Sequence, residues 1–118
     1  MTLADTSVWV EHLRRGNTRM KDLLNSGQVL CHPFVIGELA CGNLRKRNQV
    51  LALLSALPAA KLASHGEVLQ LVDTNRLFGR CLGWIDVHLL ASALLSECGL
   101  WTLDKPLVNA AKGLRIAV

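Results

Sequence analysis

Short apolar segments alternate along this chain with longer segments whose apolar residues have helical spacing, and this alternation most limits the folds open to it. Strands are expected at 3–5, 28–31, 100–103 and 114–118, with 61–63 as a connector or a short strand. Helices are expected at 7–15, 19–25, 33–47, 50–57, 65–82, 85–97 and 105–112. Strands that alternate with helices favour a parallel sheet joined by crossover connections. We therefore predict an α/β fold with a central, mostly parallel sheet of four to five strands flanked by helices.

The length and composition favour one domain over residues 1–118. A chain of 118 residues lies in the commonest size range for a domain, roughly 100–150 residues. Hydrophobic residues make up 51% of it, which favours elements covered on both faces and a surface covered by a partner. Charged residues and prolines interrupt the apolar stretches, and the amino terminus has no basic region before an apolar run. We expect no membrane span and a cytoplasmic location.

The four cysteines are widely spaced and form no CxxC pair. They are Cys31, Cys41, Cys81 and Cys98. Each has apolar neighbours, so we expect reduced, buried side chains rather than a disulfide framework or a zinc site.

Basic residues outnumber acidic ones by 13 to 9, and seven of them form two groups. One group contains Arg14, Arg15, Arg19 and Lys21, and the other contains Arg45, Lys46 and Arg47. Such groups suit a polyanion, and they equally suit a solvated helix face. Charge alone does not decide between the two.

Four of the nine acids occupy positions that ordinary surface acids do not. Asp5 and Asp104 each follow an apolar strand, and the carboxyl ends of parallel strands meet at the edge where ligands bind. Asp86 lies in the first turn of the helix after Gly83, and Glu38 stands among apolar and small residues of its helix. These four side chains are therefore expected to share one site.

Several carboxylates in one place require a compensating charge. Two like charges about 4 Å apart repel by roughly 4 kcal/mol at an effective dielectric constant of 20. Oxygen ligands without matching histidines or cysteines favour Mg²⁺ or Mn²⁺ over zinc. Structural roles remain open for three of the acids: Asp5 and Asp104 could cap or turn the chain, and Asp86 could complement a helix dipole.

Four segments, LADTSVWVEHL, FVIGELACGNL, GWIDVHLLASAL and LWTLDKPL, resemble the acidic motifs of PIN-domain ribonucleases, and more narrowly of VapC toxins from VapBC toxin-antitoxin pairs. The resemblance runs over nearly the whole chain and implies a PIN-like fold. It also implies that Asp5, Glu38, Asp86 and Asp104 are catalytic and hold one or two Mg²⁺ or Mn²⁺ ions. Thr6 and Ser7 would support Asp5, and Thr102 would support Asp104 or contact a phosphate.

The resemblance further implies hydrolysis of RNA, such as transfer or ribosomal RNA, to a 3′-hydroxyl and a 5′-phosphate. The basic residues expected to contact RNA are Arg14, Arg15, Arg45, Arg47, Arg80 and Lys105. Trp84 is expected to pack in the core, with stacking on a base as the alternative. Family members form homodimers and bind a small VapB-type antitoxin, and the resulting complexes reach operator DNA only through the antitoxin.

Four other classes of protein explain the sequence less completely. A PIN-like RNA- or protein-binding module without nuclease activity would have no reason to keep four mutually repelling acids. A haloacid-dehalogenase-like phosphatase requires a second acid where this chain has Ser7, and a dinucleotide-binding domain requires a glycine-rich loop after the first strand. A DNA-binding regulator would explain the basic groups and leave the four acids without a role.

Overall fold

A computed structural model describes residues 1–118 as three strands and seven helices. The strands are β1 (Thr2–Ala4), β2 (Val29–Leu30) and β3 (Gly99–Trp101). The helices are α1 (Thr6–Arg15), α2 (Thr18–Asn25), α3 (Pro33–Cys41), α4 (Arg47–Ala56), α5 (His65–Thr74), α6 (Trp84–Leu95) and α7 (Lys105–Gly113). The predicted alternation of strands and helices is confirmed.

The strands form one parallel sheet in the order β2-β1-β3. In the centre, Leu3 of β1 pairs with Leu30 of β2 and with Leu100 of β3. One isolated parallel bridge extends the sheet at each outer edge, Cys31 with Ala59 and Leu100 with Ala117. The sheet therefore has three strands, where four to five were predicted. The chain at Ala59 and the chain at Ala117 each add only a single bridge to its edges.

The carboxy-terminal segment 114–118 was expected to be a buried strand, and this expectation was wrong. It bonds to β3 only through the Leu100 N–H to Ile116 O and the Val118 N–H to Leu100 O. Arg115 has a φ of 61°, which interrupts the extended backbone that a strand needs. Ala117 and Val118 are exposed.

Two helices end earlier than their apolar spacing predicts. Helix α3 ends at Cys41 rather than residue 47, because Gly42 leaves the helical conformation and Lys46 adopts a φ of 52°. Helix α5 ends at Thr74 rather than residue 82, and Arg76 and Cys81 have positive φ values beyond it. Residues 42–46 and 75–83 are consequently turns and loops, and Arg45 and Arg80 lie on them.

A core of 25 buried hydrophobic residues joins the sheet to the helices. Helix α6 contributes most: all seven residues from Val87 to Ala93 are buried, and five of them belong to this core. The cysteine prediction is confirmed for Cys31 and Cys98, which are buried, and was wrong for Cys41 and Cys81, which are exposed because they lie at a helix end and in a loop. Burial raises the pKa of the Cys31 thiol to about 11, so this thiol stays protonated at neutral pH. None of the helices has the length and apolar character that a membrane span requires.

The sheet places the ends of β1 and β3 side by side. The Asp5 N–H donates to the Trp101 carbonyl at 2.9 Å, so the chain leaves both strands at the same edge. Asp5 follows β1 directly, and Thr102 follows β3 directly. This edge carries the side chains described next.

Candidate active site

Asp5 is a buried carboxylate, with 7% of its surface exposed. The hydroxyls of Ser7 and Thr102 both donate to its Oδ2 atom, each at 2.8 Å. Asp5 stands at the N-cap position of α1, yet its side chain bonds to no backbone N–H of that helix. The capping role that remained open for Asp5 is therefore not the one it has. Its Oδ1 atom is left without a partner in the chain.

The same two hydroxyls fix the backbone beyond β3. Ser7 Oγ accepts the Leu103 N–H at 3.0 Å, and Thr102 Oγ1 accepts the Asp104 N–H at 3.1 Å. A hydroxyl has one proton to donate and lone pairs to accept, so each of these groups can bond to Asp5 and to the backbone at the same time. Together they hold the Asp5 carboxylate and the backbone of Asp104 in one rigid arrangement.

Glu38 lies on the exposed face of α3 and is held by α1. Thr6 Oγ1 donates to Glu38 Oε1 at 2.6 Å. Thr6 was expected to support Asp5, and the structure corrects this: its position on α1 turns it toward α3, while Ser7 turns toward the sheet. Sequence spacing alone does not distinguish these two neighbours.

Asp86 and Asp104 each accept a backbone N–H at the start of a helix. Asp86 Oδ2 accepts the Gly83 N–H at 2.8 Å, and Asp104 Oδ2 accepts the Leu107 N–H at 3.2 Å. Both therefore have the capping bonds that a structural role predicts. Each bond uses one oxygen only, and the second oxygen of each carboxylate has no partner in the chain.

The negative charges of the four acids act on one another. Burial raises the pKa of Asp86, the Gly83 N–H opposes this, and the charges of Asp5, Asp104 and Glu38 raise the pKa further. Asp86 thus lies within electrostatic reach of all three other acids. The structure brings the four predicted residues into one region from the starts of α1 and α7 and from α3 and α6.

The four carboxylates supply oxygen donors of the kind that Mg²⁺ and Mn²⁺ prefer. Their hydrogen-bond partners are hydroxyls and backbone N–H groups, which leave the negative charges uncompensated. No three acidic, histidine or cysteine side chains converge on one point at metal-binding distance. Coordination of an ion therefore requires side-chain rotation, for which the four free oxygens are available. The donor set fits a hard divalent cation.

A basic cavity of about 330 Å³ lies on one side of Glu38. Thr6 and Arg14 of α1 line it together with Glu38, and Arg45 reaches it from the loop after α3. One arginine from each of the two basic groups thus faces the same space. Sequence spacing gives no sign of this, because residues 14 and 45 belong to different elements.

An aromatic cavity of about 610 Å³ also has Glu38 in its wall, together with Phe34 and Trp84. The expectation that Trp84 packs in the core was wrong, because its side chain is 40% exposed. Trp84 begins α6 at the site edge, where only part of its ring is covered. Phe34 and this aromatic cavity are features that the sequence analysis missed. The available signal was an aromatic residue one helical turn before Glu38.

The remaining basic residues expected to contact RNA lie outside both cavities. Arg47 donates from Nη2 to the Ala40 carbonyl at 3.0 Å and so stabilises the end of α3. Arg15, Arg80 and Lys105 are exposed, and Lys105 follows Asp104 at the start of α7. Arg19 lies over the Trp101 ring, 4.6 Å from its centroid.

Comparisons with known proteins identify the family and the fold of this chain. The family model for the PIN domain matches residues 2–113. Ribonuclease VapC32, from two strains of Mycobacterium tuberculosis, is 46% identical over 119 aligned positions, which cover 100% of this chain and 96% of the relative. A solved structure of FitAB bound to an IR36 DNA fragment superposes with a TM-score of 0.68 at 20% identity, covering 100% of this chain and 93% of the other. This last likeness concerns the fold.

Proposed function

This chain belongs to the PIN-domain family and, within it, to the VapC proteins, and from that premise we propose that it is a divalent-metal-dependent endoribonuclease, the toxin of a toxin-antitoxin pair. One observation supports the metal-dependent nuclease: the negative charges of Asp5, Glu38 and Asp104 all act on Asp86, and no cationic side chain compensates them. Each of the four has one oxygen anchored by the protein and one free. Without a cation, four carboxylates arranged in this way destabilise the fold. With one, their free oxygens can act as ligands.

Asp5 and Asp86 would hold the metal ion directly. Glu38 and Asp104 would complete the site, either directly or through water. A bound Mg²⁺ or Mn²⁺ stabilises negative charge on a phosphodiester and makes water a stronger nucleophile. The chain supplies the positions: Ser7 and Thr102 fix the Asp5 carboxylate through Oδ2.

Glu38 would receive the proton of the attacking water on Oε2, since Thr6 occupies Oε1. Water would attack phosphorus in line, so that an oxygen–phosphorus bond forms, the bond to the 3′ oxygen breaks, and the leaving 3′ oxygen takes a proton from solvent. The products carry a 3′-hydroxyl and a 5′-phosphate. Arg14 and Arg45 would hold a flanking phosphate in the basic cavity, where their guanidinium groups suit phosphate oxygens.

The experiment that tests this function measures RNA cleavage by the purified chain with Mg²⁺, with Mn²⁺ and with EDTA. Asp5→Asn and Asp86→Asn keep the size of each side chain and its accepting oxygen while removing the charge. We expect each to lower cleavage by at least about a hundredfold, a loss of roughly 2.7 kcal/mol of transition-state stabilisation. Mapping the new ends should show 5′-phosphates.

Asp73→Asn provides the matched control, since Asp73 is an exposed acid on α5 away from the four. It should cleave as the unmodified chain does. Cleavage at the normal rate by Asp86→Asn would contradict the assignment of the site. A chain that cleaves no RNA with either metal would favour a binding module instead.

The same proposal implies which molecules the chain binds. A small VapB-type antitoxin would neutralise the enzyme in the cytoplasm, and the toxin would form a homodimer within the larger complex. Transfer or ribosomal RNA would be the substrate, and any binding to operator DNA would depend on the antitoxin. Expression of the chain alone should arrest growth, and co-expression with an antitoxin encoded beside it should restore growth.

A further inference from the structure

The aromatic cavity beside Glu38 exposes two rings. The side chain of Trp84 is 40% exposed and that of Phe34 is 38% exposed, whereas the tryptophans Trp9 and Trp101 are 1% and 7% exposed. Leaving an aromatic ring in water forgoes the stabilisation that its burial would give. These two rings are therefore surfaces available to a ligand.

Both rings are held in place from behind. The imidazole of His88 lies 4.7 Å from the Trp84 ring and 4.8 Å from the Phe34 ring, each in an edge-to-face arrangement. His65 contacts Trp84 from another side, with 5.0 Å between the ring centroids. A ligand that enters the cavity meets preorganised rings, so little side-chain entropy is lost on binding.

The two rings stand on the same two helices as two of the acids. Trp84 and Asp86 share the first turn of α6. Phe34 precedes Glu38 by four residues on α3, so the two side chains are neighbours on one face. The aromatic cavity is thus next to the Glu38 carboxylate, which lines it.

Glu38 also separates the aromatic cavity from the basic cavity, since it lines both. Arg14 and Arg45 on one side suit the phosphates of a polyanion. The rings on the other side suit a flat apolar group attached to that same polyanion. RNA joins these two chemistries at adjacent positions, and an aliphatic protein segment does not.

We propose that the aromatic cavity is a nucleobase subsite, in which Trp84 and Phe34 stack an unpaired base next to the phosphate that is cleaved. This inference rests on the proposed function. A base held in a duplex cannot leave its stack without cost, so the subsite selects single-stranded or looped RNA. Stacking on an aromatic side chain strengthens binding by about 5- to 150-fold per base.

The test compares oligonucleotides with and without bases. Oligoadenylate, oligouridylate and an abasic ribose-phosphate oligomer of equal length are titrated into the metal-free chain. Trp84 is the one tryptophan that is not buried, so stacking should quench its fluorescence. Both base-carrying oligomers should quench the signal, and the abasic oligomer should bind more weakly without quenching.

Variants of the ring residues identify the subsite. Phe34→Ala and Trp84→Leu should weaken binding of labelled oligoadenylate by about fivefold or more and leave binding of the abasic oligomer unchanged. Trp84→Phe keeps a ring and should restore most of the affinity. Phe78→Ala is the matched control, because Phe78 is 63% exposed and lies outside the cavity. It should bind both oligomers normally, and thermal melting identifies any variant that fails to fold.

Two results would overturn the subsite. One is equal binding of base-carrying and abasic oligomers by the unmodified chain. The other is normal RNA affinity in Phe34→Ala and Trp84→Leu together with a changed oligomeric mass or lost antitoxin binding, which would assign the cavity to a protein interface. A chain that stacks bases but cleaves nothing with Mg²⁺ or Mn²⁺ would keep the subsite and lose the nuclease.

Discussion

Among the four acids, Asp86 is the one whose ionisation is opposed by the negative charges of the other three. Its pKa is raised by burial first and by the charges of Asp5, Asp104 and Glu38 after that. A carboxyl with a raised pKa in the folded state binds its proton more tightly there than in the unfolded chain. Ionised Asp86 therefore destabilises the fold at neutral pH, and its protonation removes this cost.

Asp86→Asn should accordingly be more stable than the unmodified chain in neutral buffer with EDTA. The asparagine can still accept the Gly83 N–H, so the start of α6 is kept. We expect a higher Tm, and a change of about 1 kcal/mol in stability would already move the Tm of a chain of this size by several degrees. The difference should shrink as the pH falls through the raised pKa, because Asp86 itself then becomes neutral.

Melting curves at a series of pH values check this, with Asp73→Asn as the control. Asp73 is exposed on α5, so its substitution should leave Tm nearly unchanged at every pH. A destabilised Asp86→Asn chain at neutral pH would show that the Asp86 charge is compensated within the protein.

At the residue scale, the sequence predicts where a residue lies in the fold better than it predicts which atom its side chain bonds to. Asp5 and Asp104 could be placed at one edge because the carboxyl ends of parallel strands must meet there. The partner of Thr6 could not be predicted, because one residue of helical rotation decides whether a hydroxyl meets Asp5 or Glu38. Exposure of Trp84 depends likewise on how α6 is packed, which a local pattern does not contain.

At the scale of elements, the loop between α3 and α4, rather than either helix, determines where Arg45 lies. Helix α3 stops at Gly42, and Lys46 adopts the left-handed region with a φ of 52°. This turn carries Arg45 to the cavity that Arg14 reaches from α1. The apolar spacing continues through this stretch, so the sequence predicted a helix to residue 47 and left the two arginines apart. A non-glycine residue in the left-handed region has no reliable signature in the sequence.

Removing the two arginines should weaken RNA binding in a way that depends on salt. Each phosphate contact contributes close to one unit to the slope of log affinity against log salt. Arg14→Gln with Arg45→Gln should therefore reduce that slope by about one to two and weaken binding at low salt, with little change at high salt.

The measurement is anisotropy of a labelled single-stranded RNA at several salt concentrations. Lys61→Gln serves as the control, since Lys61 is exposed on the connector after α4 and lines neither cavity. An unchanged slope in the double variant would mean that phosphates do not enter the basic cavity.

At the scale of the whole molecule, the four acids come from the starts or bodies of four separate helices, which one shared ligand would couple. Asp5 precedes α1, Glu38 lies on α3, Asp86 lies on α6 and Asp104 precedes α7. An ion held by carboxylates from all four would tie together segments that are distant in the chain. Binding to the folded state alone raises stability, by about 2.7 kcal/mol when the ion is at a hundred times its dissociation constant.

Mg²⁺ or Mn²⁺ should therefore raise the Tm of the unmodified chain and have little effect on Asp5→Asn or Asp86→Asn. The order of stabilities should then reverse. In EDTA the Asp86→Asn chain melts higher than the unmodified chain, because it lacks a repelling charge. At saturating Mg²⁺ the unmodified chain melts higher, because it alone of these two binds the ion fully. Asp73→Asn should follow the unmodified chain in both buffers. The reversal separates a metal site from a mere cluster of acids: a general effect of ionic strength would move all the chains together, and only a specific ion bound by these carboxylates makes the curves cross.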